Sequence, residues 1–338
     1  MMNETQRNSP PFEGGESAPA KRERDSAKHQ EKAHTGWFVQ AAEYLNHPAC
    51  SLKARRRPSF KRRGLGAVFV CCALSAQAAP TDVVFSADQG SIVQLSFGNE
   101  PGVKSVQVNW EGKHVPAYRA GNAWTTFLGV DLDTKPGDHK TDVLFTMEDG
   151  RVDKREAVVK VLTKKYPTTE LNVDEKYVEL SKADLARANR ESKETEAIYA
   201  VVSSEALWSE PFRIPIAGRT GTNFGHRRIF NGEPRAPHAG ADLKATTGTP
   251  IYATNRGRVA LAKNLFFTGN TVILDHGLGI YSLYAHLSRI DVKKGDVVKN
   301  DQVVGLAGAT GRVTGPHLHW GLRVQGARVD PFTLVGLH

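Results

Sequence analysis

The motif GPHLHWG, residues 315–321, places His317 and His319 two apart in a run that predicts a β-strand. Side chains at i and i+2 of a strand share a face, roughly 6.5–7 Å apart, so both imidazoles can serve one centre. Upstream, PHAGADL carries His238 and Asp242 on either side of Gly240, and YAHLS carries His286. Four histidines and one carboxylate thus fall within 82 residues, in a region without cysteine. They could form a three-ligand metal site with two further histidines beside it. A lone His-x-His or His-x-x-x-Asp arises easily by chance, and it is the combination that points to chemistry. Two imidazoles and a carboxylate suit zinc in an open site whose fourth position takes water. One imidazole can bind metal while another works on that water.

The spacing makes a demand on the chain. Four fully extended residues span roughly 13 Å, too far for His238 and Asp242 each to sit about 2 Å from one ion. The segment is therefore expected to bend, with Gly240 as the residue that bends without steric penalty and leaves room for the metal.

The elements around these residues are strands. From Glu205 to His338 the stretches TPIYAT, GRVALAKN, NTVILDHG, YSLYAHL, QVVGLAG and HLHWGLRV follow one another between glycine turns. This predicts an all-β domain over 206–338. Before it, residues 79–163 alternate apolar and polar positions in SIVQLSFG, KSVQVNWEG, AWTTFLGVDL, KTDVLFTMEDG and REAVVKVLT, with turns at about ten-residue spacing. That pattern predicts an antiparallel, Ig-like β-sandwich, with Trp110 and Trp124 as core anchors. Between the two lies a polar connector with a helix, residues 164–205. The helix is expected over 182–202, with Ser181 and Asp184 resembling a capping box. The fold class expected is mainly β: a sandwich, a helical linker and an all-β domain carrying the histidines.

The amino-terminal region differs. Residues 1–50 are polar and mixed in charge and predict a disordered segment. Residues 51–78 hold RRRPSFKRRG, then the apolar LGAVFVCCALSA, then Ala76-Gln77-Ala78. A basic region, a short apolar core and a small-x-small exit describe a secretory signal peptide, too short for a comfortable membrane span. Cleavage after Ala78 would remove all three cysteines, Cys50, Cys71 and Cys72, leaving an exported chain without thiols. No stable membrane span is then expected after cleavage. The net charge of +9 suggests nucleic acid, but its distribution argues against that partner. Residues 1–63 carry 13 Lys/Arg against 7 Asp/Glu, whereas the remaining 275 residues carry 32 against 29.

The run HAGADL, then GNTVILDHGLGIYSLYAHLS, then VKKGDVVKNDQVVGLAGATGRVTGPHLHWGLRV resembles the lysostaphin-type, or LytM-domain, family of zinc metallopeptidases over about residues 215–335. The stretch FGHRRIFNGEPRAPHAGAD resembles the lead-in of exported Gram-negative members. The resemblance implies one zinc per chain held by His238, Asp242 and His319, with His286 and His317 as the catalytic pair. It also implies a peptidoglycan substrate, cut at its peptide stems in the periplasm or cell envelope. Which of His286 and His317 acts as base is left open. Two rivals follow from the same residues. One is a catalytically silent cell-wall regulator with the same fold, against which the complete residue set speaks. The other is a biotinyl- or lipoyl-like carrier, suggested by DVKKGDVVKNDQVVG but lacking a lysine in its turn. His276, in Asp275-His276-Gly277, reads as a structural turn residue, and His226 as a surface residue near the cleft entrance. The domain before the enzyme is expected to restrain or position it, with occlusion of the cleft the favoured version.

Overall fold

The computed structural model describes residues 83–171, 180–218, 222–230, 232–234 and 236–337. The polar segment expected over 1–50 and the export signal expected over 51–78 lie outside them. Among the described residues no helix is long and apolar enough to cross a membrane.

Alternating sequence over the first part yields eight strands: β1 (Val83–Asp88), β2 (Ser91–Gly98), β3 (Val103–Trp110), β4 (Lys113–Pro116), β5 (Tyr118–Ala120), β6 (Ala123–Val130), β7 (Gly137–Met147) and β8 (Val152–Leu162). They form a five-stranded sheet, β1-β8-β7-β3-β4, and a three-stranded sheet, β2-β6-β5. Inward residues of both sheets make one core, with Val93, Leu95, Trp124 and Leu128 facing Val106, Val108, Phe145 and Val159. The sandwich is not purely antiparallel as expected. β1 runs parallel to β8, because it joins the larger sheet instead of pairing with its sequence neighbour β2.

The connector is more structured than its polar composition suggested. Strand β9 (Thr168–Leu171) pairs in parallel with β10 (Arg227–Phe230), which pairs with β11 (Glu233–Pro234). Just before it, the Tyr166 hydroxyl donates to Gln89 O at 2.7 Å, and the ring packs edge-on against Phe224. Helix α1 (Lys182–Tyr199) starts at Ser181, whose hydroxyl accepts from Asp184 N at 3.1 Å. The helix lies along the last sheet. Glu191 accepts from Phe266 N at 2.6 Å, Glu194 pairs with Lys263, and the Tyr199 ring meets Tyr281 edge-on.

The remaining chain forms β12 (Gly240–Lys244), β13 (Pro250–Tyr252), β14 (Gly257–Leu265), β15 (Gly269–Asp275), β16 (Ile280–Leu287), β17 (Arg289–Ile290), β18 (Val297–Val298), β19 (Val303–Leu306), β20 (His317–Val324) and β21 (Ala327–Arg328). The main sheet runs β12-β20-β16-β15-β14-β18, with β21 on β20, and a smaller sheet runs β13-β19-β17. Leu243, Ile251, Val272, Tyr284, Val304 and Trp320 fill the space between them.

The sandwich is fastened to the far end of β20. Phe127 packs with Trp208, Phe212, Leu278, Leu322 and Val324. Gln325, buried and left-handed at φ 47°, donates to Phe127 O and Leu278 O and accepts from Gly129 N. Arg328 grips Asp131 with two nitrogens, at 2.6 and 3.0 Å. Charge-assisted, forked contacts of this kind fix geometry as well as adding strength.

Candidate metal centre and catalytic histidines

Strands β12 and β20 pair antiparallel, in a register that sets Asp242 opposite His319 and Gly240 opposite Gly321. Directly opposed residues on one face have side chains about 4.5–5.5 Å apart at Cβ, within reach of a shared centre. His238 precedes β12 and is held by the loop before it, its N–H donating to His226 O at 3.0 Å. The Asp242 carboxylate Oδ1 lies 3.2 Å from His238 Nε2 and 2.9 Å from His319 Nδ1, and the two ring nitrogens are 3.0 Å apart. Three donor atoms at such spacing face one point. A tetrahedral ion with bonds of about 2.0–2.1 Å would set its ligands about 3.3 Å apart. The geometry and the donor types both fit, so His238, Asp242 and His319 could hold a metal ion.

Gly240 serves differently from expectation. Its backbone is part of β12 and is not left-handed. A Cβ there would meet His319 Cε1 and Nε2 at 2.7 Å and Trp320 O at 2.7 Å. The missing side chain makes room for the His319 ring instead of supplying a bend.

Asn223, which drew no attention in the sequence, organises two of the three donors. Its Nδ2 donates to Asp242 Oδ2 at 3.0 Å, and its Oδ1 accepts from Asp242 N at 2.9 Å. Its carbonyl accepts from His238 Nδ1 at 3.2 Å, which puts the ring proton on Nδ1 and leaves the Nε2 lone pair facing the centre. Burial acts to raise the Asp242 carboxyl, but bonds with His238 and His319 outweigh it and hold the group well below the usual carboxylate range.

The other two histidines stand beside this triangle. His317 Nδ1 donates to Gly315 O at 2.9 Å, and its Nε2 lies 3.6 Å from Asp242 Oδ1. His286 Nδ1 donates to Thr310 O at 2.9 Å, and its ring is 4.9 Å from that of His317 and 5.9 Å from that of His319, centre to centre. A carbonyl can only accept, so both rings carry their proton on Nδ1 and turn Nε2 away from the main chain. His286 is buried, which pushes its imidazole down to about 4, and it sits in the left-handed region at φ 64°. Its N–H donates to Thr268 O at 2.8 Å. Thr310 is itself pinned: Oγ1 donates to Leu287 O at 2.7 Å and accepts from Asn270 N at 2.9 Å. Gly269 permits this contact, since a Cβ there would meet Thr310 at 2.3–2.4 Å.

The remaining histidines lie elsewhere. His276 is fully buried with both ring nitrogens bonded, to Arg256 O and Ser282 Oγ, and serves the core as expected. His226 bonds Thr169 Oγ1 at 2.8 Å and so ties β9 to the loop that carries Asn223. Arg227 reaches Asp133 of the sandwich at 3.0 Å.

A mostly β chain that gathers a His-Asp-His triad and two flanking imidazoles at the edge of one sheet has the build of a metallopeptidase. The signature of Peptidase family M23 matches residues 236–331, which span all five residues. A putative peptidase M23 of known structure from Pseudomonas aeruginosa is 31% identical, with the match covering 74% of this chain and 95% of that one at a TM-score of 0.54. This chain belongs to peptidase family M23. The peptidoglycan DD-endopeptidase ShyA of Vibrio cholerae is 45% identical over 113 residues, 33% of this chain and 26% of that protein. The DD-carboxypeptidase/endopeptidase Mpg of Neisseria meningitidis is 39% identical over 97 residues, 29% of this chain and 22% of that protein. The match thus spans about a quarter of the length of these curated relatives.

Proposed function

We propose that this chain is a zinc-dependent endopeptidase that hydrolyses peptide cross-links of bacterial peptidoglycan. The observation that carries this reading is the convergence of three donor atoms within about 3 Å of one another, with two further Nε2 atoms beside them. His238, Asp242 and His319 would hold the zinc, whose contribution is Lewis acidity toward water and the scissile carbonyl. Asn223 keeps the Asp242 carboxylate turned toward the centre and fixes the tautomer of His238. His286, kept neutral by burial, presents its Nε2 lone pair to take the proton of the attacking water. His317 has Nε2 close to the same carboxylate and is placed to support the developing charge on the carbonyl oxygen.

The relatives named as peptidoglycan DD-endopeptidases favour a D,D bond, such as the D-alanyl–diaminopimelate link. Such a substrate lies outside the cytoplasm, which agrees with export and cleavage near Ala78. The test is digestion of purified sacculi by residues 79–338, with mass spectrometry of the products. Cross-linked muropeptide dimers should fall to monomers, chelation should stop the reaction, and added zinc should restore it. Sacculi left intact by fully zinc-loaded protein would overturn the reading.

A further inference from the structure

Along β20 the buried Leu318, Trp320 and Leu322 alternate with His317, His319, Gly321 and Arg323. One face of a single strand therefore carries both site histidines, then a residue without a side chain, then a guanidinium. Four residues of strand put the Arg323 Cα about 13 Å from that of His319. A cavity of about 400 Å³ lies on this face. His319 and Ala239 border it at one end and Arg323 at the other; Gly321 and Leu283 lie between, and α1 contributes Ala188 and Ser192.

Among the described residues the guanidinium makes no hydrogen bond, although Asp131 and Glu196 favour its charge from a distance. Arg323 also borders a second cavity of about 370 Å³ with Lys113, Glu196 and Arg328. Arg323 Nη1 is sealed from solvent without a hydrogen-bond partner, and among the described residues no group accepts from the other nitrogens. Its aromatic neighbour is the Tyr199 ring, 5.5 Å from Cζ. The cations around it are engaged: Arg328 with Asp131 and Asp133, Lys113 with Gln325 O. The acids of α1 are engaged too: Glu191 with Arg187 and Phe266 N, Glu194 with Lys263, and Glu196 with the Ser192 hydroxyl. With Nη1 sealed, the side-on pair Nε and Nη2 is the fork left open, and it is matched to a planar anion that accepts two parallel bonds.

We propose that this cavity is a substrate subsite for a carboxylate of the stem peptide, anchored by Arg323. The inference rests on the reading of the chain as a peptidoglycan endopeptidase and adds what that reading leaves open, namely how one side of the substrate is recognised. An extended peptide advances about 3.3 Å per residue, so a carboxylate three or four residues from the scissile bond reaches the guanidinium. Gly321 leaves the path along the strand open, and α1 closes one side of it. Recognition of an acidic stem is then a property of the helix and sheet together.

The test compares two synthetic cross-linked stem peptides, one with free carboxylates and one with those groups as primary amides. For the unaltered chain, KM should rise about tenfold on amidation with kcat little changed, the pattern of lost ground-state binding. In Arg323→Met the two substrates should become equivalent, and in Arg323→Lys the preference should shrink without vanishing. A binding measurement separates this inference from the catalytic one. Calorimetric titration of the metal-free chain with the free-carboxylate stem peptide should show an affinity that Arg323→Met reduces about tenfold, whether or not the chain cleaves anything. Equal KM and equal affinity for acid and amide in the unaltered chain overturn the proposal, and that comparison needs no variant to fold. Displacement of the peptide by inorganic phosphate as effectively as by free peptide also overturns it, as a general anion hole would behave so.

Discussion

Asn223 holds Asp242 at two points at once, donating to the carboxylate Oδ2 at 3.0 Å while accepting from the main-chain N–H at 2.9 Å. The same residue's carbonyl receives the Nδ1 proton of His238. One side chain and one carbonyl thus orient two of the three groups that could hold a metal ion. Asn223→Ala should weaken zinc binding by about 10–100-fold, the usual worth of such support. Competition against a chromogenic chelator measures it. Unchanged affinity would show that β12 and β20 position Asp242 without the Asn223 side chain; the carbonyl that holds His238 is kept in the variant.

The two kinds of histidine should separate cleanly. His238→Ala and His319→Ala are expected to lose zinc by elemental analysis. His286→Ala and His317→Ala are expected to keep zinc and the fold but lose turnover by about 10²–10⁴-fold. Zinc lost from His286→Ala or His317→Ala would reverse the division of roles.

Thr310 acts on His286 only through its carbonyl, so its own side chain should matter by holding that carbonyl still. Thr310→Val removes both Oγ1 bonds at little change in shape. If His286 takes the proposed role of base, the substitution should lower kcat by roughly 10–100-fold, with KM and zinc content little changed, because small misplacement of such a group is costly. Thr310→Ser keeps the hydroxyl and should restore most of the rate. A serine variant as slow as the valine variant would mean that packing, not the Oγ1 bonds, is what counts.

His276 gives a prediction about stability. Burial pushes its imidazole down to about 4, against about 6.5 in the unfolded chain. The neutral ring is native and the unfolded chain takes up the proton first, so stability is fully present above pH 6.5 and is lost as pH falls toward 4. A shift of that size corresponds to about 3 kcal/mol. The melting temperature should therefore drop across this window, and His276→Gln, less stable at pH 7, should show a shallower drop. An equally steep profile in the variant would assign the effect to other groups.

Much of this was legible in the sequence, for definite reasons. The i, i+2 spacing of His317 and His319 fixes a common face in any strand, and β20 shows it. Alternation in SIVQLSFG marks β2, and Ser181 with Asp184 marks the start of α1. What escaped depends on pairing between distant segments. β9 lies in the polar run TTEL and forms a strand only because β10 is beside it. Asn223 and Thr310 act through long-range bonds, two of them by main-chain carbonyls, and a carbonyl leaves no signature in residue type. At Gly240 the sequence points to a bend and to room for a metal, whereas the room is taken by the His319 ring, which comes from β20 far along the chain. Docking of the sandwich through Phe127, Gln325 and Arg328 had no local signal either.

The left-handed backbone of His286 sets durability against activity at one position. A residue other than glycine pays roughly 1–2 kcal/mol to stand there. Glycine would adopt the same φ of 64° without that strain, while removing the imidazole from the site. His286→Gly would relieve that strain, but it would also empty a buried space and free the unfolded backbone. Turnover should fall at least as far as in His286→Ala, so heat challenge and turnover would report on different things at this one position. Any programme of stabilisation would have to screen for turnover at the same time.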